Sequence, residues 1–156
     1  MSIKVVDIFR RVGEVLHDKA HDRWSLEELL DWLNDAQHEI VMQRPDANVV
    51  TEEFDTVEHS SKQDLPSSGL RLIDIVRNIG GSNEPITLID RKTLDTTVPN
   101  WHNSDPTYDI ENYVYDERNP KVFYLYPRPD FDAIIEIVYS TAPKQIAIDD
   151  YEDINE

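Results

Sequence analysis

The chain has 156 residues, 39% of them apolar and 30% charged, and this composition is typical of globular rather than disordered proteins. The length suits a single domain with a substantial hydrophobic core. The 32 Asp and Glu residues outnumber the 15 Lys and Arg, for a formal net charge of −17. This balance argues against a protein that grips duplex DNA through phosphate contacts. The absence of Cys excludes disulfides and thiolate metal sites.

Neither a membrane span nor a secretory signal is visible in the sequence. No apolar run is long enough to cross a bilayer, and residues 1–11 lack a charged and then apolar pattern with a small-residue cleavage site. We therefore expect a cytoplasmic protein with no membrane partner.

Two amphipathic helices are predicted at the start of the chain. Apolar residues recur at steps of three and four over residues 3–18 and again from Leu26 to Val41. Ser25 and Glu28 have the spacing of a capping box, and Pro45 disfavours helical structure at the preceding residue, so the second helix should end near Gln43. The short link over 19–24 predicts an antiparallel helical hairpin.

After residue 48 the pattern changes to that of strands. Alternating or β-rich stretches separated by turn residues predict strands at 50–56, 61–63, 70–77, 86–89, 113–115, 122–126 and 134–139, with a short helical turn at 90–95. The predicted fold class is α+β, with the hairpin packed beside an antiparallel sheet or sandwich of about six strands.

The predicted domain organisation is one domain over 1–148, with the helical hairpin at 3–43 and the β-rich part at 49–142. Residues 149–156 form an acidic C-terminal tail with five acids in eight residues.

A series of short motifs occurs along most of the chain in a characteristic order. The motifs are Trp24-Ser25, the helix end 36–41, residues 44–47, 63–66, 71–81, Leu94-Asp95, 99–102 and 115–127. In this order they resemble the head–tail adaptors of tailed bacteriophages, also called connectors or tail tubular proteins, and in particular the tail tubular protein A type.

The resemblance implies a structural virion protein at the head–tail junction that is assembled in the host cytoplasm. It would form a homo-oligomeric, dodecameric ring that docks below the portal protein, links the capsid to the tail and forms part of the DNA channel. A tail, nozzle or tail-completion protein would be the partner below. Double-stranded DNA would pass through the lumen during ejection without specific binding.

Several residues are candidates for subunit or partner contacts. They are Arg77, Asn78, Trp101, His102, Asp116, Glu117, Arg118 and Tyr151. A large exposed ring such as Trp101 is typical of an interface, although it can also fold back as a lid over its own sheet. Arg77 can pair with local carboxylates, and Asp116 to Arg118 can form an ordinary solvated turn.

The acidity of the chain has two interpretations. It can simply keep the protein soluble, or it can line a pore whose wall repels DNA. Because identical acidic subunits repel one another, the second interpretation places acids on the lumen or opposite a basic partner. The candidates for the lumen are Asp149, Asp150, Glu152, Asp153 and Glu156.

No cofactor, metal ligand or catalytic residue is predicted. His17 and His21 have the four-residue spacing of a two-His metal site, but they lie at a helix end, and no third ligand follows at a suitable distance. Asp130 and Glu136 resemble part of a nuclease carboxylate cluster that lacks its Lys. Phosphate-loop and nucleophile-elbow motifs are absent, so we do not expect an enzyme.

Two other functions remain open at the level of sequence. One is another bacteriophage ring protein, such as a tail completion or terminator protein. The other is an acidic DNA mimic that inhibits a host nucleic-acid enzyme, in which carboxylates would form a spaced stripe on a monomer or dimer.

Overall fold

The computed structural model describes residues 4–147, which contain three α-helices and seven β-strands. Helices α1 (Val5–Val15) and α2 (Leu26–Gln43) come first, and α3 (Arg91–Thr97) lies between strands. The strands are β1 (Val49–Asp55), β2 (Lys62–Asp64), β3 (Gly69–Ile79), β4 (Thr87–Leu88), β5 (Asn112–Tyr115), β6 (Val122–Tyr126) and β7 (Ile134–Thr141). The predicted α+β class is therefore confirmed.

The structure divides into two compact units. The helical unit comprises the described residues 4–43 and 143–147, and the β-rich unit is Arg44–Ala142. The predicted β-rich part 49–142 lies within the second unit. The grouping of the whole of 1–148 into one domain stays a prediction.

The helical unit is held by an apolar cluster between α1 and α2. Phe9, Leu29 and Leu30 are buried at its centre, and Val5, Ile8, Val12 and Leu33 pack around them. The predicted capping box is present, because Ser25 Oγ accepts from the Glu28 N–H at 3.3 Å and Glu28 Oε2 accepts from the Ser25 N–H at 3.2 Å. Residue 146 returns to this unit, where the Asn34 side chain both donates to and accepts from the Ile146 backbone.

The β-rich unit contains two sheets that pack face to face. One has three strands in the order β1-β7-β3, and the other has four in the order β2-β6-β5-β4. Fully buried Ile135 and Ile137 of β7 and Phe123 and Leu125 of β6 share one core between them. All strand pairs are antiparallel except β4 with β5, which is parallel, so the predicted antiparallel sandwich is found with one parallel pair at its edge.

A second, smaller core covers the other face of the four-stranded sheet. Leu94 of α3, Trp101 and Val114 are buried there, and Tyr124 and Tyr126 pack against them. Alternation along β6 therefore directs Phe123 and Leu125 into the first core and the two Tyr rings into the second. This layer positions α3 beside the β5–β6 hairpin, where the candidate site lies.

Candidate functional site

The tip of the β5–β6 hairpin carries three predicted contact residues, and all three are exposed. Arg118 donates to both carboxylate oxygens of Asp116, with a shortest distance of 2.7 Å, and its backbone N–H donates to the same group at 3.0 Å. These hydrogen bonds lower the pKa of Asp116 to about 2. Glu117 forms an ion pair with Arg71 of β3 at 2.7 Å. The tip is thus an ordered charged surface.

A groove of about 790 Å³ lies beside this tip. It is lined by β4, the start of α3, the end of β5, the hairpin tip and Tyr124. Leu88, on the edge strand β4, is 62% exposed at this groove, and Tyr115 and Tyr124 contribute further apolar surface. A smaller hollow of about 370 Å³ shares Leu88, Tyr115 and Glu117 with it.

The rim of the groove mixes cations with locally engaged acids. Arg91 pairs with Asp95 at 3.6 Å, and Arg118 pairs with Asp116 as described. Asp90 caps α3 by accepting from the Lys92 backbone N–H at 2.9 Å. Within residues 4–147 the Lys92 ammonium makes no ion pair, so it is a cation available to a carboxylate from elsewhere.

Trp101 is 1% exposed and lies inside the β-rich unit. Its Nε1 donates to Asp95 Oδ1 at 2.8 Å, and its ring meets Tyr124 edge to face at 6.0 Å between centroids. This placement corresponds to the lid alternative, in which the ring covers its own sheet. A direct contact between this buried ring and another subunit would require the layer around it to open.

His102 is exposed and stacks on Trp101 with ring centroids 3.6 Å apart. Its Nδ1 lies 2.8 Å from Ser61 Oγ, a pairing across 41 residues that the sequence did not reveal. Desolvation, reinforced by the nearby Arg91, lowers the pKa of His102. The neutral ring therefore fastens the turn after α3 to the segment before β2.

Arg77 and Asn78, at the end of β3, have different surroundings. Arg77 is exposed and pairs with Glu136 of β7 at 2.9 Å, which is the local pairing anticipated from the sequence. Asn78 is 1% exposed, and its amide donates to Glu84 O and Ile110 O while accepting from the Ile110 N–H. Both donors of Asn78 are thus used within the unit, which leaves none for a neighbouring subunit.

The remaining predicted contact residues lie outside the described residues. These are Tyr151 and the acids Asp149, Asp150, Glu152, Asp153 and Glu156, so their roles stay predictions.

The residues considered for metal binding or catalysis have other positions in the fold. Helix α1 ends at Val15, and His17 and His21 both have positive φ angles, so they do not share a continuous helical face. Glu136 is engaged by Arg77. Among residues 4–147 no cluster of three or more potential ligands could hold a metal ion. Over the same range, no helix has both the length and the apolar content for crossing a membrane.

Sequence reasoning missed an exposed aromatic at the β6–β7 connection. Phe131 is 61% exposed, and its ring meets that of His59 edge to face at 5.0 Å. Val57, on the neighbouring loop, is 55% exposed. We call these three side chains the knob. The sequence did contain a signal for this exposure. Phe131 lies between two Asp residues in the connection between the predicted strands 122–126 and 134–139, where burial of a side chain is unusual.

The described residues thus define an α+β protein whose prominent surfaces are an apolar knob, a charged hairpin tip and a groove beside it. The model of the SU10 adaptor protein family matches residues 3–156, and the chain belongs to this family. The expectation of a bacteriophage adaptor is confirmed at this level, while the tail tubular protein A type stays a prediction. No curated protein matches the chain.

Proposed function

We propose that this chain is a non-enzymatic structural protein of the virion that forms a ring at the head–tail junction. The ring docks below the portal protein, connects the capsid to the tail and forms part of the channel for the genome. Membership of the SU10 adaptor family over residues 3–156 is the observation that carries this proposal.

The charge of the chain supports a channel role. At a net charge of −17, a lumen built from many copies presents little attraction to DNA phosphates, so the duplex slides without being held. Mutual repulsion between copies is screened over roughly 8 Å at physiological salt. Contacts between subunits therefore need local pairing of opposite charges and apolar surface.

The direct test is to mix the purified chain with the portal protein of the same virus and to image the product. We expect an additional ring below the portal, probed in parallel by native mass spectrometry for a mass that corresponds to a dodecamer. Portal particles with no added density would contradict the proposal.

The same preparations separate the two rival functions. A stable dimer that inhibits a nucleic-acid enzyme and ignores the portal supports the DNA mimic. A ring that binds the tip of a tail tube but not the portal supports a tail completion or terminator protein.

A further inference from the structure

The knob is held in place by a buried clamp. Gln63 of β2 is fully buried, and its side chain accepts from the Val57 N–H at 2.7 Å and donates to Val57 O at 3.0 Å and Ser60 O at 2.7 Å. These bonds fix the loop between β1 and β2 before any partner arrives. A preorganised contact surface loses less conformational entropy on binding.

The connection between β6 and β7, which carries Phe131, is hydrogen-bonded to the loop between β1 and β2. The His59 N–H donates to Pro129 O at 2.8 Å, and the Thr56 N–H donates to Ala133 O at 3.2 Å. His59 and Asp132 have φ angles of 56° and 57°, a region that costs energy for residues other than Gly. The fold thus maintains strained backbone while leaving the Phe131 ring in solvent.

The surroundings of the knob are acidic. Glu58 and Asp132 are exposed beside it, and Asp130 lies 3.6 Å from His59. An exposed aromatic ring with an acidic surround fits an apolar groove with cations on its rim. The groove at Leu88 is lined by the rings of Tyr115 and Tyr124. Its rim carries acids as well as cations, but Asp95, Asp116 and Glu117 are each paired with an Arg, whereas Lys92 makes no ion pair among the described residues.

The knob and the groove lie at opposite edges of the four-stranded sheet. The knob is beside the β2 edge, beyond the end of β6, and Leu88 of the groove is on the β4 edge, level with Tyr113 of β5 and Leu125 of β6. The two surfaces therefore cannot meet within one sheet, but they can meet between copies. A contact between two different faces of identical subunits is heterologous and generates a closed ring when the rotation permits.

We infer that the knob of one copy inserts Phe131 into the Leu88 groove of the next copy and so forms the contact between neighbouring subunits of the ring. Glu58 and its acidic neighbours then face Lys92 across the contact. The inference rests on the proposed function, because it names the partner surface within the proposed ring.

The absence of Cys makes a crosslinking test direct. Two single variants, Phe131→Cys and Leu88→Cys, are mixed, assembled on the portal and treated with a short bismaleimide. We expect a covalent dimer in the mixture and neither variant to crosslink efficiently alone. The double variant should give a ladder that extends to the full ring.

A matched control replaces Leu88→Cys by Val49→Cys, on the edge strand β1, where Val49 is 44% exposed. The Val49→Cys variant should not crosslink when it is mixed with the Phe131→Cys variant. If rings form on the portal but Phe131→Cys and Leu88→Cys do not crosslink, the inference is wrong and the proposed function stands. If the unmodified chain forms no ring on the portal, both the inference and the proposed function are overturned.

A charge exchange tests the electrostatic part of the contact. Lys92→Glu should shift assembly to about tenfold higher protein concentration, and Glu58→Lys should do the same. Mixing or combining the two changes should restore assembly, because the pair is reformed with opposite polarity. Absence of rescue, with both variants folded by circular dichroism, would contradict the assigned pairing.

Discussion

The indole of Trp101 stabilises the layer that covers the four-stranded sheet. It fills the space between Leu94 and Val114, and its one polar atom is satisfied by Asp95. Replacement by a smaller residue would leave a cavity and would remove one hydrogen-bond donor from Asp95, which keeps its ion pair with Arg91.

We therefore predict that Trp101→Ala lowers the free energy of unfolding by about 3–5 kcal/mol. Phe131→Ala should cost less than about 1 kcal/mol, because that ring is mostly in solvent. Urea titration of the two variants measures the difference. Equal costs would show that the burial of Trp101 contributes little.

The imidazole of His102 predicts a dependence of stability on pH. Since its pKa is lowered in the folded state, the unfolded chain binds the proton more readily. The stabilising contribution is present above about pH 6.5 and declines as the pH falls through the folded pKa. The free energy of unfolding should thus decrease between pH 7 and pH 5.

His102→Gln should flatten this part of the profile. Asp18, Asp46 and Asp116 also have lowered pKa values, but as acids they lose their contribution only below about pH 4. The two windows can therefore be separated by denaturation curves at a series of pH values. An unchanged slope in His102→Gln between pH 5 and pH 7 would contradict the assignment.

At the scale of elements, β2 is short but has a large effect on the loops beside it. Its central residue is Gln63, which replaces the missing backbone partners of the loop before it. The strand thus organises the knob in addition to forming the sheet edge.

Gln63→Met keeps the side-chain volume but leaves the backbone groups of Val57 and Ser60 without partners. We predict a loss of about 2–4 kcal/mol in the free energy of unfolding, because unsatisfied groups cost about 1–3 kcal/mol each. Hydrogen exchange at the Val57 amide should accelerate strongly. As a control, Asp64→Asn on the exposed side of the same strand should leave that exchange rate unchanged.

The predictability of these elements follows from the range of the interactions that define them. The capping box at Ser25, the helix end before Pro45 and the strand at 122–126 depend on neighbours within a few residues, and each is found as predicted. The pairing of Ser61 with His102 and the clamp of Asn78 on Ile110 join residues 41 and 32 positions apart. Hydrophobic periodicity carries no information about such pairs.

Only the parts of the candidate site that depend on neighbouring residues could be predicted from the sequence. Exposure of the hairpin tip follows from its turn residues, whereas the burial of Trp101 depends on α3 folding over β5 and β6. The parallel pairing of β4 with β5 could not be read from a two-residue strand. The groove and the knob exist only once that topology brings distant segments together.

At the scale of the whole molecule, the two units differ in the number of chain segments that form them. The β-rich unit is one continuous segment, and its two cores contain only residues from within it. The helical unit needs the returning residues around Ile146.

We predict that a fragment of residues 44–142 folds on its own, because its buried contacts are internal. It should show a cooperative thermal transition and dispersed amide resonances. A fragment of residues 4–43, which lacks Ile146, should be less stable than the same segment in the full chain. An unfolded 44–142 fragment would contradict this prediction.

The first and last strands of the β-rich unit are hydrogen-bonded neighbours: Val49 is opposite Ser140, and Asn48 and Thr141 are bonded to each other. The polypeptide therefore enters and leaves this unit at two adjacent points. Such an insert can be transplanted into a surface turn of an unrelated scaffold without reordering that scaffold's own elements. Both the knob and the groove would be present in the transplanted unit, so the affinity between them can be measured in the absence of the virus.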